Sequence, residues 1–172
     1  MFKKLKQYSV KKSTDRNLNR RDLSQRNTPL KTLGFLVDET LFQDFEVLYD
    51  YSDLLGIPRK DIKIFSFLEF NKNVPSLRQD QISDKDFAWD GTIKNLSAQE
   101  FLSKSFDVLI GYYKGSNTFL DMMVSESKAK FKIGGVGADK RLFDLLINVE
   151  LENVEDFKDE TKKYLTVLNK LQ

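Results

Sequence analysis

The chain has 172 residues, 40% of them hydrophobic and 14 of them Phe, which is enough for one domain with a sizeable core. It contains neither Cys nor His, which excludes disulfides, thiolate sites and the commonest general base. The net charge of +2 hides a division: residues 1–30 carry nine basic and two acidic side chains, a balance of +7, and residues 31–172 carry a balance of −5.

The nine cations are Lys3, Lys4, Lys6, Lys11, Lys12, Arg16, Arg20, Arg21 and Arg26, set among Asn, Gln and Ser. Apolar residues are sparse there, so residues 1–30 read as a flexible basic arm whose ordering entropy is not offset by burial. Pro29 closes the arm. No stretch approaches the ~18 consecutive apolar residues that cross a bilayer. The basic leader also lacks the apolar centre of a secretory signal, and a cytoplasmic protein is expected.

Residues 31–172 read as an α/β domain. Lys31–Val37 is a first strand, and Thr40 with Gln43 fits a capping box opening a helix through Leu41, Phe45, Leu48 and Leu55. Gly56 and Pro58 stop that helix, and Ile62–Leu68 is the second strand. Residues 71–95, with Pro75, Trp89 and the turn pair Asp90-Gly91, form a polar insertion, either a loop or a ragged hairpin. Ser97 with Glu100 is a second capping box, leading to a central strand at Phe106–Tyr113. A helix with Phe119, Leu120, Met123 and Val124 follows, then strands at Ala129–Gly134 and Leu142–Val149. Asn153 caps the clearest helix, whose stripe is Val154, Phe157, Thr161, Tyr164, Leu168 and Leu171. Strands alternating with helices predict a single three-layer, Rossmann-like domain with a mostly parallel sheet. The link between the last two strands is too short for a helical crossover, so an antiparallel edge pair is expected.

Phe106-Asp-Val-Leu-Ile110, Ser127-Lys-Ala-Lys-Phe-Lys-Ile-Gly134 and Phe143-Asp-Leu-Leu-Ile147, with Asp86-Phe87, Trp89 and the basic leader, carry a resemblance. Over most of its length the chain resembles a family of small uncharacterised proteins from Bacteroidota, a domain of unknown function. The likeness is structural and implies a cytoplasmic bacterial protein. It carries over no catalytic residue.

Four features compete as sites. The basic arm suits a polyanion, because Lys and Arg neutralise phosphates and Arg adds bidentate contacts. Phe2, Leu5 and Tyr8 among Lys3, Lys4 and Lys6 offer a rival anchor on anionic lipid, over residues 1–10 only. Gly134-Gly135-Val136-Gly137 follows a strand, but matches neither phosphate-loop pattern and reads as a turn. Asp38 and Glu39 follow the first strand, where Mg²⁺ ligands or helix-entry acids occur, while Asp107 and Asp144 lie at strand starts. Of Tyr112 and Tyr113, at least one is expected to be exposed at the strand end, where it could stack on a base.

The expectation is a non-enzymatic RNA-associated protein, a ribosome accessory protein anchored to ribosomal RNA by its arm, with its α/β domain docking on ribosomal protein or RNA. Neither a cofactor nor a metal is expected, and no DNA specificity. The alternatives are a membrane-surface protein and a nucleotide-binding module.

Overall fold

A computed structural model describes residues 1–75 and 78–172. Six strands form one sheet: β1 (Leu33–Asp38), β2 (Ile62–Phe67), β3 (Gln81–Ile82), β4 (Val108–Tyr112), β5 (Phe131–Gly134) and β6 (Leu145–Leu146). Their order is β3-β2-β1-β4-β5-β6, with every pair parallel. The order reverses between β1 and β4, as in doubly wound Rossmann-like sheets. Parallel sheets are covered on both faces, and β1 and β4 are accordingly apolar almost throughout.

Alternation along the strands divides the core in two. Leu33, Phe35 and Val37 of β1, with Val108, Ile110 and Tyr112 of β4, face α2 (Glu46–Tyr49), α3 (Tyr51–Leu55) and α6 (Val154–Val167). Leu36 and Leu109 face the other way, toward α1 (Phe2–Asn19), α4 (Leu96–Ser103) and α5 (Thr118–Glu126).

Three expectations are corrected. The basic segment is not a disordered arm over residues 2–19 but the helix α1, lying against α5. Its inner face is small and polar, with Val10, Ser13 and Thr14 buried. Thr14 Oγ1 donates to the Val10 carbonyl and Asn17 Nδ2 to Ser125 Oγ, so polar groups are buried with partners. Second, the expected edge pair is not antiparallel: β6 runs parallel to β5. It pairs only with the last two residues of β5, Ile133 with Leu145 and Gly134 with Leu146. The chain therefore returns over only part of a strand length, and 135–144 manages this without a helix. Third, neither predicted capping box forms. Asp38 Oδ1 accepts from Thr40 N and Oγ1, making a turn, and α2 begins only at Glu46. Asn95, rather than Ser97, caps α4, accepting from Ala98 N at 3.0 Å.

The insertion is structured where it meets the core. It supplies β3, a 3₁₀ turn at Asp84–Asp86 inside a genuine Ser83/Asp86 capping box, and an antiparallel bridge from Phe87 to Ile93 around the Asp90-Gly91 turn.

Close packing explains the two glycines at the end of β5. A Cβ on Gly134 would lie 2.7 Å from the Phe143 ring, and one on Gly135 3.1 Å from Leu151. Gly137 has φ +76°, a left-handed turn conformation. Gly134→Ala should therefore destabilise the fold by about 1–3 kcal/mol through overpacking. Urea denaturation measures this, and coupling Gly134→Ala with Phe143→Ala should cost less than the sum of the two. Strict additivity would contradict the packing account.

Candidate functional site

In this sheet order, ligands usually sit beyond the carboxyl ends of β1 and β4. Here the residues at that edge bond to one another. The Phe42 ring packs on Tyr112 at 5.3 Å, and Tyr112 Oη donates to the Leu151 carbonyl. Tyr113 Oη and Ser116 Oγ each donate at 2.7 Å to Asp121. Burial pushes the Asp121 carboxyl up, against those bonds. Asn117 caps α5, accepting from Phe119 N and Leu120 N. Both tyrosines are fully buried, so neither is the exposed stacking ring expected at this strand end. Glu39 accepts from Ser66 Oγ at 2.9 Å and Gln81 Nε2 at 2.6 Å, tying β1 to β2 and β3.

The strand-start acids are fastenings. Asp107 accepts from Lys31 N, Thr32 N and Lys130 Nζ, joining the residues that lead into the adjacent strands β1, β4 and β5. Burial pushes its carboxyl up, but these bonds outweigh burial and hold it below the usual range. Asp144 accepts both terminal nitrogens of Arg21, at 3.1 and 2.5 Å, and the backbone N–H of Lys132.

The nine cations of residues 1–30 divide by partner. Lys3 pairs with Glu69 at 2.7 Å, and Lys6 donates to the Asp84 carbonyl at 3.0 Å. Arg21 is committed to Asp144, and Arg26 lies 3.9 Å from the same carboxylate. The remaining five, Lys4, Lys11, Lys12, Arg16 and Arg20, are exposed and form no ion pair among the described residues, although the Lys11 charge helps hold Asp139 down. Arg16 donates only to the Ser13 hydroxyl, within the helix. Four of the five lie along α1, about 27 Å long, and Arg20 is its C-cap. Sequence reading put all nine in one class because it could not see which acids the fold brings within reach.

The fold adds other cations that spacing did not reveal. Arg141 meets Asp15 at 3.3 Å and Asp139 at 2.7 Å, beside the C-terminal half of α1. Lys128 lines a groove of about 920 Å³ with Arg16 and Arg20. Asp22, Asp90 and Glu126 line it too, so the groove is mixed in sign, while the outer ridge of α1 is predominantly basic.

On β5, Lys132 is buried and donates to the Val124 carbonyl in the last turn of α5. Burial pulls its ammonium down to about 7, and the nearby Arg21 and Lys128 charges act in the same direction against Asp144.

The chain belongs to DUF6913, a family of unknown function, whose family model matches residues 6–168. No curated protein and no solved structure matches it. No helix among the described residues is long and apolar enough to cross a membrane.

The Lys132 site makes stability depend on pH. Its folded pKa of about 7 lies below the unfolded value of 10.5, so between them the unfolded chain binds more protons. Stability should rise from pH 7 to pH 9 by about 1 kcal/mol per unit, and Lys132→Met should flatten that rise. Urea midpoints across that range measure it. An equal rise in the variant would assign the effect to another group.

Proposed function

We propose that this protein is a cytoplasmic, non-enzymatic RNA-associated protein that docks on ribosomal RNA as a ribosome accessory factor. One observation carries the reading: four exposed cations of α1 and Arg20 at its C-cap, none in an ion pair among the described residues, project from a helix that is already ordered and fastened to the body. Helix and body differ in sign, since residues 31–172 carry a balance of −5. A phosphate backbone would meet α1 favourably, while the remaining surface would discourage a second, unspecific contact. Because α1 is preformed, binding would not bear the ordering cost of a disordered arm.

Neutralising ~5 phosphates gives a log affinity that falls with log salt at a slope of about −4. Sedimentation of the native protein through a sucrose cushion at low and high salt reads this directly. The wild type should travel with ribosomal fractions at low salt and leave them as salt rises. Replacing Lys4, Lys11, Lys12, Arg16 and Arg20 with Gln should release it at all salts without unfolding it. Absence from those fractions at low salt would count against the ribosome, and failure to bind purified RNA against the whole reading.

A further inference from the structure

Resting on the RNA reading, we propose that the RNA held by α1 is unpaired, with its bases stacking on Phe2, Tyr8 and Trp89 while its phosphates follow the lysines and arginines. Most of the aromatic residues are buried or packed against other rings, and Phe70 is covered by the Lys85 ammonium. These three differ. Phe2 is 86% exposed, Tyr8 67% and Trp89 78%, and none has a ring partner among the described residues.

They are also carried by neighbouring elements. A Cβ on Gly91 would lie 2.9 Å from Ser13 Oγ and 3.1 Å from the Ser9 carbonyl, so the turn that carries Trp89 lies against α1. Phe2 and Tyr8 are separated by about 9 Å along the helix axis. Exposed rings are of no use to a duplex, whose bases are already stacked on one another. Flat rings beside phosphate-binding cations are what splayed single strands require.

An anionic bilayer would also attract the lysines, but the arrangement of the apolar groups argues against it. At 3.6 residues per turn, Phe2, Leu5 and Tyr8, all exposed, share an arc of about 120°, but Lys12 and Arg16 continue that same arc, so the apolar face ends after two turns. An interfacial helix needs one continuous apolar face. The apolar face of α1 stops at Tyr8, and the inner face is occupied by α5.

The test uses full-length protein with a labelled single-stranded RNA and the same RNA annealed to its complement. Anisotropy reads affinity, and the only tryptophan, Trp89, reports stacking by its own fluorescence. The single strand should bind more tightly and quench Trp89. Phe2→Ala with Tyr8→Ala and Trp89→Ala should weaken single-strand binding by about tenfold per ring, leaving duplex binding and the salt slope unchanged. All three side chains are exposed, and circular dichroism checks that the variant is folded.

Equal binding of both RNAs with no effect of the triple variant would overturn the stacking proposal. If the five-cation variant still lost binding, the RNA reading would survive that result. No binding of either RNA would overturn both. Binding to vesicles of anionic phospholipid that the triple variant loses, with RNA binding unaffected, would assign the surface to lipid and overturn the proposal.

Discussion

Asp144 decides where the basic segment lies. Its carboxylate, 6% exposed, receives two N–H groups of Arg21, itself only 12% exposed, and the backbone N–H of Lys132 at the edge of β5. One group thus joins the end of the N-terminal segment to β5, immediately before β6 begins. A buried pair of this kind adds little net stability, but losing one partner strands the other charge at a cost of roughly 3–5 kcal/mol. The constraint matters because α1 has little support of its own. No side chain caps its N-terminus, and its first turn carries no acid to oppose the helix dipole. Packing on α5 and the Arg21 clasp hold it in place, and they also fix which of its faces meets solvent.

Much of the body was legible. The apolar runs at Lys31–Val37, Ile62–Leu68 and Phe106–Tyr113 locate β1, β2 and β4 within two residues at each end. Gly56 ends α3 in the left-handed conformation expected of it. The edge of the sheet was less legible, because a two-residue strand such as β6 leaves no periodicity to read, and a short link has no direction of its own. α1 was hidden for a different reason. Its contact with the body is made by Ser13, Thr14 and Asn17 around one fully buried apolar residue, Val10, with partly buried Leu18 beside the core, and counting hydrophobic area finds little there. The partners that divide the nine cations, Glu69, Asp84 and Asp144, are distant in sequence and adjacent only through the fold.

Docking of α1 removes one argument for a polyanion and supplies another. A disordered basic tail would have pointed to a partner that orders it, and that inference falls away for residues 2–19. In its place is a rigid row of five cations, sorted from the four that the protein uses internally. The glycines after β5 lose their appeal as a phosphate loop for a comparable reason: Phe143 and Leu151 occupy the space that Cβ atoms would need. The edge of the sheet beyond β1 and β4 is likewise taken up by Phe42, Tyr112 and the bonds to Asp121.

Ultraviolet crosslinking of the native protein to RNA in cells, with the crosslinked peptides mapped, addresses the role of α1 most directly. The account predicts adducts within residues 1–20 and at the turn carrying Trp89, and none on α6. Adducts confined to α6 or the β6 edge, or the absence of any crosslinked peptide, would contradict it.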